Sequence, residues 1–156
     1  MVVEESSVST FTDVILSAPI SIADAVNLCL NGHTISAAGG YFDVADSGTL
    51  NLCSCEDNGI IKRTTTTNAL ISADAGATAN LYNVTLDGGA VWEGTTDTVL
   101  KRGTTNSNSD ITSSAPLIYA GGQRTAGGRI TLNSGVVLQN NECSYGGNGG
   151  AVTIGE

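Results

Sequence analysis

Four side chains suited to metal or redox chemistry fall within the first 55 residues. Cys29 and His33 stand in "VNLCLNGHTI", residues 26–35, and Cys53 and Cys55 stand in "LNLCSCEDNGII", residues 50–61. Thiolate sulfur and imidazole nitrogen are the usual ligands of zinc, and two thiols at suitable separation close a disulfide. A single C-x-C, however, is not zinc spacing. No second ligand pair follows at a zinc-like interval, and His33 falls in an Asn-Gly turn. The expectation is therefore no metal and no other cofactor. What recurs is the phrase itself: an apolar residue, Asn, Leu, Cys, an Asn-Gly turn, then an aliphatic residue.

Carboxylates and bases are the next candidates. Cleavage of acidic polysaccharides uses acidic oxygens around Ca²⁺ and a general base, and glycoside hydrolysis uses two carboxylates at fixed separation. Asp43, Asp46, Asp57, Asp74, Asp87 and Asp97 are scattered among turn residues, and Lys101, Arg102, Arg124 and Arg129 have no acidic partner at a recognisable offset. They read as solvated turn residues, so no catalytic residue is assigned. The glycine-rich "GGQRTAGG", residues 121–128, lacks the strand-to-helix context of a phosphate cradle and reads as a connector. Trp92, Lys101 and Arg102 lie in a polar Ser/Thr/Asn-rich segment, residues 92–115, that contains the only tryptophan. They are the candidate ligand contacts, with Trp92 as a stacking platform; the alternative is that Trp92 covers apolar surface.

The elements that must position these residues follow from composition and repeat. Fifteen Asp and Glu against six Lys and Arg give a net charge of −9, with only 13% charged residues. That balance argues against nucleic acid and anionic membrane surfaces, which select Lys/Arg clusters. No apolar run approaches the roughly 18 residues of a membrane span. The first ten residues show no basic and then apolar signal pattern, and the last read as the middle of a strand. Either the protein is cytosolic or its signal peptide lies outside this sequence, and the strand-like end leads us to expect a segment of a longer protein.

Aligned on Leu28, Leu52, Leu81 and Leu132, the phrases are 24, 29 and 51 residues apart. A period in the twenties is the mark of a solenoid, and the double-length gap holds either an extra coil or a long insertion. Within each phrase apolar residues alternate, as in Val26, Leu28 and Leu30, which predicts strands with one buried face. A second strand set comprises residues 34–36, 59–62, 84–86 and 136–138; a third comprises 41–44, 69–72, 116–119 and 151–154. Three short strands per unit predict an all-β, right-handed, three-sided parallel β-helix of about five rungs, one domain over residues 1–156 with an insertion at 92–115. In its first rung Val14, Leu16, Ile20 and Ile22 point inward. A β-sandwich is the competing fold, but it gives no reason to repeat Asn-Leu-Cys in register. In the stack Asn27, Asn51 and Asn80 form one outward column, and Cys29 lies over Cys53. Those two cysteines are expected as a ladder of free thiols, the alternative being a Cys29–Cys53 disulfide.

"LCLNGHTI" followed by "GTLNL" resembles the repeats of right-handed parallel β-helix domains in large bacterial surface proteins, within the pectin-lyase-like superfamily. "VVLQNNECSYGGNGGAVTI" resembles the repeat of polymorphic outer-membrane adhesins, F-x-x-N followed by G-G-A-aliphatic. Leu138 replaces the Phe, Asn141 matches the Asn, and Gly149, Gly150, Ala151 and Val152 match the remainder. A second "GGAV", residues 88–91, lacks the preceding F-x-x-N. The resemblance implies a secreted or surface-displayed stalk or adhesin, with glycans or a host surface protein as partner. A polysaccharide lyase or glycosidase fragment is the alternative, and end-to-end continuation of the solenoid is a third reading.

Overall fold

The computed structural model describes residues 13–65, 68–89, 92–94, 100–102, 112–113, 115–123, 126–143 and 150–155, the short strands outside the repeated sets by backbone register alone. Asp97, Arg124 and Gly149 lie outside these residues. The described chain is all-β, without a helix. It opens with β1 (Val14–Leu16), β2 (Ile20–Ile22) and β3 (Ala25–Cys29), and the trio returns as β4 (Thr34–Ala37), β5 (Phe42–Val44) and β6 (Thr49–Cys53). It returns again as β7 (Gly59–Arg63), β8 (Ile71–Ala73) and β9 (Thr78–Tyr82). The next pass is interrupted. After β10 (Val84–Asp87) come β11 (Trp92–Gly94), β12 (Leu100–Arg102) and β13 (Thr112–Ser113) before β14 (Ile118–Ala120). A hairpin, β15 (Gly122–Gln123) and β16 (Ala126–Gly127), precedes β17 (Arg129–Leu132); β18 (Val137–Gln139), β19 (Glu142–Cys143) and β20 (Val152–Ile154) follow.

Three parallel sheets collect these strands in a solenoid-like stack. Sheet 1 runs β1-β4-β7-β10-β18, sheet 2 runs β2-β5-β8-β14-β20, and sheet 3 runs β3-β6-β9-β17. The chain visits the sheets in the same order on every pass. The leucine alignment is the observed register: Leu28 opposes Leu52, Leu52 opposes Leu81, and Leu81 opposes Leu132. The double-length gap is therefore an insertion, since no rung intervenes between Leu81 and Leu132.

Alternation sets what each strand buries. Leu50, Leu52, Ile61, Ile71, Ala79, Leu81, Leu86 and Ile118 are fully buried in one apolar core that runs through all three sheets. Of the first-rung positions expected inward, Leu16 and Ile22 are buried, whereas Val14 and Ile20 are exposed. Each has a paired strand on one side only. Outward on sheet 3, Asn51 Nδ2 donates to Asn27 Oδ1 and Asn80 Nδ2 to Asn51 Oδ1, both at 2.8 Å. Stacking identical amides satisfies the donor of one rung with the acceptor of the next.

The connections differ sharply in length. Those from sheet 3 to sheet 1 stay short, at residues 30–33, 54–58, 83 and 133–136. Asn31 and Gly32 turn the first with φ of 48° and 77°, the left-handed region that Asn and Gly adopt most readily. Those from sheet 1 to sheet 2 lengthen over the first four passes, through residues 17–19, 38–41, 64–70 and 88–117, and the last, residues 140–151, is shorter again but still long. The insertion thus belongs to one corner, and its neighbour joins it: β13 pairs with β19 in parallel. The segment 121–128, expected as a connector, does join sheet 2 to sheet 3, and its described residues include the antiparallel pair β15–β16.

Candidate functional site

At the tight corner, the cysteines are placed by register and by one bend. Cys29 and Cys53 are direct neighbours in β3 and β6. Past Cys53 the chain leaves the strand and bends at 54–57. Gly32 N–H donates to Ser54 Oγ at 2.8 Å, and Ser54 Oγ donates in turn to the Asp57 carbonyl. Asn83, itself at φ 51°, donates from Nδ2 to the carbonyls of Ser54 and Glu56, both at 3.1 Å. The bend carries Cys55 back over Cys29, with their Cα atoms 6.3 Å apart, and the two form a disulfide. This corrects both expectations for the ladder. Cys29 is neither free nor joined to Cys53, because sulfurs standing on adjacent parallel strands project side by side, whereas the bend turns Cys55 toward its partner. Cys53 keeps a free, half-buried thiol. The three sulfurs lie within 4.8 Å of one another.

At the long corner stands a residue that sequence reasoning did not single out. Arg63, 2% exposed, occupies an inward slot at the end of β7, directly over Ala37. Its Nη1 donates to Asn141 Oδ1 at 2.5 Å, and its Nη2 donates to the carbonyls of Asn68 at 2.9 Å and Pro116 at 2.7 Å. A buried guanidinium needs its fork filled with acceptors, and these come from either side of the insertion. The signal was present in the alternation: Ile61 points inward, so Arg63, two residues on, does too. Asn141, the asparagine of the adhesin-like motif, also donates from Nδ2 to the carbonyls of Ala115 and Gly150. Gly88 completes the corner, since a Cβ there would lie 2.6 Å from Asn141 Cα.

The acidic residues are not uniformly solvated turn residues. Asp87 lies in β10 and is buried, accepting hydrogen bonds from Gly89 N, Gln139 Nε2 and Asn140 Nδ2 at 2.7–2.9 Å. Asp43 lies in β5, where burial, and then the charge of Asp74, raise its carboxyl above the ordinary 3.8. Asp46, Asp57 and Asp74 remain exposed in connections.

Trp92, Lys101 and Arg102 are brought together by the antiparallel pair β11–β12, in which Trp92 opposes Arg102 and Glu93 opposes Lys101. The depression beside Arg63, lined by Ala37, Gly39, Gly40, Thr65, Asn68 and Leu70, is open to solvent and encloses no space for a water-sized sphere. No helix among the described residues is long and apolar enough to cross a membrane. No protein-family profile, curated protein or solved structure matches the chain.

Proposed function

We propose that this chain is a segment of a right-handed, three-sided parallel β-helix, acting without catalysis as a stalk or adhesive surface of a secreted or cell-surface bacterial protein. The observation that carries the reading is the combination of unbroken register through three parallel sheets with the longest connections gathered at one corner. Parallel crossovers are right-handed in about 98% of cases, which supports the hand. A repeat built this way spends its sequence on stacking and leaves contact to whatever interrupts it. The β11–β12 ribbon is the contact element in this reading, with Trp92 stacking on a sugar face or an apolar host side chain and Lys101 and Arg102 meeting acidic groups. Neither nucleic acid nor the membrane interior is a partner of this acidic surface. The same strand edges that pair between rungs would also allow end-to-end continuation, which sizing chromatography showing only monomer would count against.

The runner-up, a lyase or glycosidase fragment, takes its support from Asp43 and Asp74, whose charges interact. A glycan array combined with a lyase and hydrolase assay on acidic polysaccharides separates the two. Binding without turnover, lost in Trp92→Ala, is the expected result. Release of an unsaturated, ultraviolet-absorbing product or of reducing ends would overturn the adhesive reading.

A further inference from the structure

We infer that the reduced chain binds one thiophilic d¹⁰ cation between the sulfurs of Cys29, Cys53 and Cys55, and that the Cys29–Cys55 disulfide is the closed form of that site. The C-x-C of Cys53 and Cys55 is too small a ligand set by itself. Stacking supplies the third sulfur from the neighbouring rung, and all three then fall within 4.8 Å of one another. Three thiolates bound at about 2.3 Å to one ion stand about 4 Å apart, so modest side-chain rotation completes the triangle once the disulfide opens.

The ligands are held in advance. Cys29 and Cys53 sit on paired strands, two residues beyond the Asn27–Asn51 hydrogen bond. The Ser54 and Asn83 bonds fix the bend that delivers Cys55. The Cys55 amide donates to Cys29 Sγ at 3.1 Å. An amide aimed at sulfur orients it and tunes a bound metal. Cys29 and Cys55 are exposed and Cys53 is half-buried, so an ion can enter without unfolding. Exposed Glu56 and Asp57 follow directly in the bend and add local negative charge. With three protein ligands, a further coordination position faces solvent.

The balance is simple. A dithiol reductant delivers two electrons and two protons to the Cys29–Cys55 bond, giving two thiols and the oxidised dithiol. Cation binding then displaces the protons of three thiols. Under oxidising conditions a single thiol remains, which is a poor site.

The test uses the full chain carrying Cys143→Ser, reduced with a phosphine under inert gas and titrated with Cd²⁺. Thiolate-to-metal absorption reports binding, and circular dichroism reports strand content in the same samples. One ion per chain is expected, with all three thiols protected from alkylation. Cys53→Ser should weaken binding by at least about 100-fold, the upper end of what loss of an outer-shell partner alone costs, and diamide oxidation should abolish it. The inference is overturned if the reduced chain shows no saturable binding, or if binding survives Cys53→Ser or oxidation. It is equally overturned if reduction unfolds the chain and Cd²⁺ does not restore the strand signal, since the site depends on the stack.

Discussion

The two corners that flank sheet 1 solve the same problem in different ways. Where sheet 3 passes into sheet 1, the connections stay short and are secured by contacts with the rung next door: Asn83 to the 54–57 bend, Gly32 to Ser54, Cys55 to Cys29. Where sheet 1 passes into sheet 2, the connections lengthen, and the contacts reach far along the chain. Arg63 joins Asn68, Pro116 and Asn141, the last of them 78 residues away. The first corner is maintained by small bonds repeated between rungs; the second rests on two buried charged side chains, Arg63 and Asp87, each bonded to distant parts of the chain. Damage should therefore be graded and local at the first, and abrupt at the second.

Arg63→Ala is expected to have the largest effect. It leaves three oxygens without their donor, that of Pro116 buried and those of Asn68 and Asn141 part-buried, and opens a cavity, costing about 3–5 kcal/mol in urea unfolding. A cost near that of a surface substitution would erase the contrast between the corners. Opening the disulfide comes next. It closes a loop with sequence separation 26, and chain-entropy reasoning gives about 3.5 kcal/mol for Cys55→Ser. The parent chain in reductant should lose the same amount; a smaller loss in the variant alone would show Cys53 taking over as the partner of Cys29. Asn83→Ala should cost about 2 kcal/mol, combining left-handed backbone strain with two lost hydrogen bonds. Asn83→Gly should restore the backbone share, which unfolding midpoints of the pair would resolve.

The smallest effect belongs to Asp43, on sheet 2, away from both corners. Its folded carboxyl holds its proton more tightly than the unfolded one, because burial and Asp74 disfavour the charge. Stability on this account is full below the ordinary 3.8 and declines as pH rises through the raised value, then stays level. Asp43→Asn should accordingly match the parent at low pH and exceed it near neutrality, with Asp74→Asn giving part of the gain. Urea midpoints measured across that range check the sign.

The tight corner and the sheets were largely legible in the sequence. Leu28, Leu52, Leu81 and Leu132 gave the register directly, and Asn27, Asn51 and Asn80 gave the ladder, because stacking places like beside like at a fixed period. Cys55 was not legible as the partner of Cys29, since its position depends on a bend that breaks the strand phase. Arg63 was passed over because a charged residue beside Lys62 reads as solvated, although its phase with Ile61 marked it as inward. Its partners lie 53 and 78 residues away, beyond any local pattern. Asp87 reads as a solvated turn residue for the same reason, since what covers it comes from residues 139–140, in another pass of the chain.

The lengthening corner also makes the stack a tolerant host for foreign sequence. Closing a longer flexible loop costs only about 0.6 kcal/mol per doubling of length. About three doublings separate residues 38–41 from residues 88–117, so by that scaling length alone costs roughly 2 kcal/mol, no more than one buried leucine contributes. A segment grafted between Gly89 and Ala115 would leave Arg63 and Asn141 holding the exit and re-entry points. Variation there is cheap for the fold, so this corner is where new specificities can arise while the register behind them stays fixed.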